Sequence, residues 1–326
     1  VKYLTSAELK GRGTGAPELD RAAEYIAQQF RAAGLKPAAG DSYYQPFPVT
    51  TNARLGERNR FEYSANGQKK AVTFNEEFLP LNFSASGESS GSLVFVGYGI
   101  TAPEYHYDDY AGVEVRDKLV VLLRHEPQEF DEKSVFAGRL FTEHAQFWSK
   151  AVNAKMHGAR GVILVADRVN HRGETDELEK FGRAAGPVDV GIAFVQVKAS
   201  IADAWFQQAG QKLDELQEAI DKDLKPRSFA FPETLRASLA VDLEREIRTV
   251  RNVAGYVPGA TPEYVVIGAH YDHLGLGEQS SMAPAQAGTP HPGADDNASG
   301  TAGVIELARW FAGREKLKRG VVFLAF

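Results

Sequence analysis

One pattern constrains the fold of this chain more than any other: an apolar run, a helical period and a second apolar run, in that order. Tyr264–Ala269 is continuously apolar, as in a parallel strand covered on both faces. A helix follows from about Gly300 to Ala312, with Val304, Leu307, Ala308 and Phe311 on one face and Ser299 placed to cap it. Val321–Phe326 reads as another apolar strand. Units of this kind almost always cross over right-handed within one parallel sheet. The long loop from Leu274 to Ala298, rich in Gly, Pro, Ser and His, lies between the first strand and the helix.

That topology decides where chemistry can sit. In open parallel sheets, ligands bind beyond the carboxyl ends of the strands. His270-Tyr-Asp-His273 begins where the first strand ends, and Asp295-Asp-Asn-Ala-Ser299 immediately precedes the crossover helix, so both groups meet at one edge. Three of the eight histidines fall between His270 and His291. A His-x-Asp pair alone is common, and a doubled Asp before a helix is the ordinary partner of the helix dipole. Together, on adjacent ends of one sheet, they form the imidazole and carboxylate set of a hydrolytic zinc site. Asp272 stands where a carboxylate could orient the second ring nitrogen of His270.

Composition removes several other functions. The chain has no cysteine, which excludes disulfides, thiolate metal sites and cysteine nucleophiles. The net charge of -6 is spread along the chain without a basic stripe, so nothing supports a nucleic-acid partner. No apolar stretch reaches the roughly 18–20 residues needed to span a bilayer. The sequence opens on Val1, and Val1–Lys10 lacks the charged-then-apolar pattern of a signal peptide. Either a removed leader or a fragment accounts for such a start.

Before the crossover unit, a helix is expected over about Glu18–Ala33, with Leu19, Ala22, Ala23, Ile26 and Phe30 on one face and Gly34 at its stop. The preceding Gly11-Arg-Gly-Thr-Gly15 lacks a strand before it and a Lys-Ser/Thr after it, and reads as a flexible entry to that helix rather than a phosphate loop. Arg60–Ser64 and Lys70–Phe74 flank Asn66-Gly67, a strong hairpin turn. Ser84–Ser92 reads as a connection. Leu93–Val96, Leu119–Leu123, Val162–Val165 and Ile192–Val197 read as buried strands, with helices at about Glu143–His157 and Ile201–Leu224. The acidic and aromatic run Glu104–Tyr110 reads as a solvated turn rather than a metal site. The expected domains are 1–66 with 237–326, and a separate α+β module over 67–236.

The paired motifs Gly268-Ala-His-Tyr-Asp-His-Leu-Gly275 and Gly293-Ala-Asp-Asp-Asn-Ala-Ser-Gly300 resemble those of the co-catalytic di-zinc aminopeptidases of peptidase clan MH. That group also holds glutamate carboxypeptidase, the glutaminyl cyclases and the catalytically silent transferrin receptor. Gly97-Tyr-Gly-Ile100, followed by Tyr107-Asp-Asp-Tyr-Ala-Gly112, resembles the opening of the protease-associated domain that many members insert. The resemblance implies an α/β peptidase domain, a parallel or mixed sheet with helices on both faces, and an α+β protease-associated insert. It further implies His270 as a ligand of one zinc, Asp272 as the catalytic carboxylate that orients it, and Asp296 as the bridge between two metals. A cis peptide is implied after that bridge, at Asp296–Asn297. His273, His291 and Asp295 are not carried over as ligands and are expected in the loop or behind the ligands.

The expected activity is exopeptidase cleavage of peptides, most closely an aminopeptidase, with two Zn2+ per complete catalytic domain and an extracellular or periplasmic setting. The family's Gly-Glu-Glu motif, with its general base, and its later ligands are not found in this sequence, so the 326 residues alone are expected to be inactive. Two alternatives share the fold: a single-zinc cyclase like the glutaminyl cyclases, and a receptor-like binding protein without metal. Retention of His270, Asp272 and Asp296 argues against the latter, because unpaired buried charges cost several kcal/mol.

Overall fold

The computed structural model describes residues 1–173, 175–182, 186–277, 286–314 and 317–326. Residues 278–285 of the expected Leu274–Ala298 loop therefore lie outside the described residues. The chain divides into two compact units, residues 1–52 with 246–326, and residues 53–245. These boundaries differ from those read at 66/67 and 236/237, and strand pairing explains why. Strand Arg236–Val241 lies between Arg60–Ala65 and Gly87–Phe95, with Ala237 opposite both Tyr63 and Gly91. The 60–72 hairpin thus belongs to the sheet of the second unit.

In the first unit a five-stranded mixed sheet runs in the order Lys36–Pro37, Leu243–Val257, Gly320–Ala325, Tyr264–Ala269, with Tyr44–Leu55 also pairing Leu243–Val257. The two strands read from sequence are parallel, with Ile267 opposite Phe323, and helix Ser299–Ala312 makes the crossover between them. The first helix spans Pro17–Ala32, with proline where the missing N–H costs nothing. It buries Leu19, Ala22, Ala23, Ile26, Ala27 and Phe30. These enter one core with Val253, Phe323 and Ala325 of the sheet and with Val304, Ile305 and Ala308 of the crossover helix. Full burial of each large side chain there stabilises the unit by about 1.5–3 kcal/mol.

One expectation fails on this sheet. Tyr264, Val265 and Val266 are 46%, 47% and 62% exposed, whereas a strand covered on both faces was read from their apolar run. The strand stands at the edge of the sheet order, and only Ala269 at its end is buried. β-branched residues favour a strand whether or not a neighbour covers it.

The second unit is built on a nine-stranded sheet whose centre is parallel: Gly87–Phe95, Leu119–Leu123, Gly161–Val165 and Ala193–Val197. Side chains alternate between two cores, as a strand's period of two requires. Leu93, Phe95, Val121, Ile163 and Val195 join Trp205, Phe206 and Ile220 on one face. Val94, Val120, Leu122, Val162 and Phe194 join Ala151 and Ala154 on the other. Helix Phe147–Met156 therefore lies over one face, and helices Ala199–Gln208 and Leu213–Asp223 over the opposite one.

Three local expectations change in this unit. Ser84–Ser92 is not a connection, because strand Gly87–Phe95 already pairs Arg236–Val241 from Gly87 onward; ladder hydrogen bonds outweigh the weak propensity of Ser and Gly. The single helix read over Ile201–Leu224 is two, broken after Gln208, where Gly210 takes φ +67°. The helix read from Glu143 begins instead at Phe147, after a short turn at Glu143–Ala145 that Thr142 caps. The Glu104–Tyr110 run is not a solvated turn throughout. Asp109 is fully buried, accepts from the N–H groups of Tyr98 and Ile100 and from the Tyr107 hydroxyl, and its carboxyl is raised to about 7 by that burial.

Candidate metal centre

The site of the first unit is assembled where strand Tyr264–Ala269 ends and helix Ser299–Ala312 begins. Backbone pairing continues past the strand, since Tyr271 N–H donates to the Phe326 carbonyl at 2.9 Å. Thr301, fully buried in the first turn of the helix, donates its hydroxyl to the His270 carbonyl at 2.9 Å. This bond ties the strand end to the helix start. Ahead of the helix lies an irregular turn, Ala294–Ala298, in which Asp296 and Asn297 leave helical geometry and the peptide between them is cis. Asn297 Oδ1 accepts from Gly300 N–H at 3.1 Å and so caps the helix. Ser299, read as the cap, instead donates its hydroxyl back to the Asp295 carbonyl at 3.0 Å.

This frame brings His270, Asp272 and Asp296 together. His270 Nδ1 lies 3.2 Å from Asp272 Oδ1, and His270 Nε2 lies 2.9 Å from Asp296 Oδ1. The two ring nitrogens thus face two different carboxylates. The second oxygen of Asp296 faces His273 Nδ1 at 3.6 Å. Burial holds the His273 imidazole below its ordinary pKa, against the pull of Asp296. Asp296 is 69% exposed and His270 37%, so the ligand-type atoms open to solvent. Asp295 is exposed and contributes its carbonyl to Ser299. His291 turns its ring against Gly277, where any Cβ would fall 2.2 Å from His291 Nε2.

The segment Gly11–Gly15, read as a flexible entry, is a clamp on this site. Arg12 is fully buried, and its guanidinium donates to the carbonyls of Tyr271 at 2.8 Å, Pro292 at 2.8 Å and Gly293 at 3.1 Å, and to that of Leu4. One side chain therefore holds the loop after His270 and the loop before Asp296. Burial draws its pKa down, with Asp272 and Asp296 acting in the opposite direction. The backbone adds to the clamp: His273 N–H donates to the Arg12 carbonyl and Gly275 N–H to that of Gly11. Thr14 donates its hydroxyl to Asp272 Oδ2 at 2.6 Å, which fixes the carboxylate facing His270. Gly11, at φ +77°, has no room for a side chain, because a Cβ would fall 2.4 Å from the Gly275 carbonyl and 2.5 Å from that of His291. The signal in the sequence was the Arg between two glycines; three of its four partners, Tyr271, Pro292 and Gly293, lie more than 250 residues away and leave no periodicity.

The donor set suits a divalent ion of the zinc type. A neutral imidazole with its far nitrogen held by a carboxylate is the usual arrangement of a ligand histidine. A carboxylate with one oxygen toward each of two imidazoles can serve as a bridging donor.

Residues 252–326 match the model of peptidase family M28. Over 74 residues the chain is 43% identical to the uncharacterized protein YfbL of Escherichia coli strain K12, a stretch that is 23% of this chain and 20% of that protein. Solved structures similar to it include an aminopeptidase from Aneurinibacillus sp. strain AM-1, at 22% identity and TM-score 0.43, over 99% of this chain and 60% of that one. BSAP, a zinc aminopeptidase from Bacillus subtilis, matches at 19% identity and TM-score 0.38, over 99% of this chain and 58% of its own. A peptidase M28 precursor from Shewanella amazonensis SB2B matches at 17% identity and TM-score 0.34, over 99% and 62%. The chain thus spans about 60% of the length of these structures. The stretch that matches the model of peptidase family M28, residues 252–326, is the one that supplies His270, Asp272 and Asp296.

Proposed function

We propose that the chain is part of a zinc-dependent exopeptidase, an aminopeptidase, that removes N-terminal residues from peptides. The observation that carries this reading is the approach of His270 Nε2 to Asp296 Oδ1 at 2.9 Å while Nδ1 is occupied by Asp272. In this reading His270 and Asp296 would hold metal, through the Nε2 of the one and the carboxylate of the other. When bound, the metal supplies Lewis acidity: it lowers the pKa of water and polarises the scissile carbonyl. Asp272 holds the His270 ring so that Nε2 keeps its lone pair toward the metal position, and Thr14 holds Asp272 in turn. Arg12 fixes the spacing of the two loops that carry the ligands. A protease-associated role for the 53–245 unit and export from the cytoplasm belong to the same proposal.

His270 and Asp296 are two donors where a tetrahedral site takes four. The 326-residue chain by itself is accordingly expected to hold zinc weakly at this position and not to turn over substrate. The test is metal content by mass spectrometry beside hydrolysis of an amino-acid anilide, on the longest natural form of the protein. Asp296→Ala should abolish both metal pairing and turnover. Asp272→Asn keeps the shape, and activity should fall about 10–100-fold. Full activity in Asp296→Ala, or equal and complete loss from both changes, would overturn the assigned roles.

A further inference from the structure

The 53–245 unit holds a group of metal-type side chains of its own. His125 follows strand Leu119–Leu123 and Asp167 follows strand Gly161–Val165, and these strands are adjacent and parallel, with Leu123 opposite Val165. Both residues therefore emerge at the carboxyl edge of the sheet, the place where open parallel sheets bind ligands. Glu129 comes four residues after His125, and His171 four after Asp167. His125 Nδ1 lies 3.0 Å from Asp167 Oδ2 and 3.6 Å from Glu129 Oε2. His171 Nε2 lies 3.0 Å from Glu129 Oε2 and 4.0 Å from Asp167 Oδ1. One atom from each of the four residues falls within 4.8 Å of all the others.

We propose that His125, Glu129, Asp167 and His171 form a binding site for one divalent transition-metal ion, zinc in the first instance. Zinc bonds of about 2.0–2.1 Å place tetrahedral donors about 3.3–3.4 Å apart, within the span of these separations. Charge favours the same answer. The side chains of Asp167 and Glu129 are only 1% and 4% exposed, so two carboxylates are held away from water. The two imidazole rings lie beside one another, with centroids 4.8 Å apart and planes tilted by 31°, and each turns a nitrogen toward the carboxylates. A single divalent ion balances both carboxylates and takes both imidazoles as neutral donors. Two nitrogens and two carboxylate oxygens suit zinc and its neighbours rather than calcium or magnesium, which take oxygen ligands.

Access and support are present as well. His125, Asp167 and His171 line a cavity of about 500 Å³ that gives an ion a way in. Phe141 stacks on the His125 ring at 5.0 Å, and Phe130 meets the His171 ring edge-on at 5.9 Å. Arg124 Nε donates to His125 Nε2 at 3.0 Å, which leaves the ring proton on Nδ1, facing Asp167. Loading moves that proton to Nε2, and Arg124 gives up the contact while keeping Glu179 at 2.6 Å.

The experiment uses the full 326-residue chain carrying Asp296→Ala, so that the His270 position contributes no tight metal. The chain is dialysed against micromolar zinc, and its metal content is measured by mass spectrometry. One zinc per chain is expected. Adding His125→Gln and His171→Gln should weaken binding by more than about 100-fold, a larger effect than removing an outer partner of a ligand. Absence of zinc from the Asp296→Ala chain, or full retention in the triple variant, overturns the site. Should the triple variant fail to fold, cobalt(II) added to the Asp296→Ala chain provides the second readout. Intense visible bands of a tetrahedral nitrogen and oxygen site are expected, and the weak spectrum of the aqueous ion would refute the proposal.

Discussion

Arg12→Ala tests whether the site formed by His270, Asp272 and Asp296 is held by a side chain at the far end of the sequence. The substitution removes donors from four carbonyls. Those of Tyr271 and Leu4 are buried with the guanidinium, so each is left without a donor at about 1–3 kcal/mol. Those of Pro292 and Gly293 are only part-buried, and water can replace the lost donor there at small cost. The local loss is therefore about 4 kcal/mol, concentrated in the loops after His270 and before Asp296. Hydrogen exchange reads such a loss directly, because the amides of His273 and Gly275 bond to the carbonyls of Arg12 and Gly11. At about 1.4 kcal/mol per tenfold change, their protection should fall by two to three orders of magnitude. Arg12→Lys keeps the charge but loses the planar fork, and should lose protection by about tenfold. Unchanged protection of His273 and Gly275 in Arg12→Ala would refute the clamp, whatever happened to global stability.

Gly11→Ala places a methyl against two backbone carbonyls at a positive φ and should lower the melting temperature of the first unit, as followed by circular dichroism; a neutral result would mean that the two loops can separate freely. Trp205→Ala empties a fully buried position packed on Phe61 and Tyr63 and should cost about 3–5 kcal/mol in urea unfolding of the second unit. Asp109 provides a pH signature. Its carboxyl is raised from the ordinary 3.8 to about 7 in the folded state, chiefly by burial, so its contribution is fully present below pH 3.8 and lost as pH rises through 7. Asp109→Asn should remove that downward slope between pH 4 and 7 in thermal unfolding, and an unaltered slope would show that Asp109 does not titrate there.

Much of the fold could be read because its signals are local. The crossover unit, the first helix and the central strands of the second unit follow from apolar periodicity, which records which side of an element is buried. The pairing of His270 and Asp272 with Asp296 was also legible, since each motif sits next to an element boundary and topology carries both to one edge. The sequence was weaker where a backbone partner, rather than a side-chain pattern, decides the outcome. Ser84–Ser92 looked like a loop until Arg236–Val241 paired with its second half, and the exposure of Tyr264–Val266 depends on position within a sheet that their own residues do not record. The clamp by Arg12 and the convergence of His125 and Glu129 with Asp167 and His171 lay furthest from reach. Each joins segments between about 40 and 280 residues apart by hydrogen bonds or ligand-type contacts. Contacts of that kind have no sequence period, and only the folded chain brings their atoms within 3 to 4 Å.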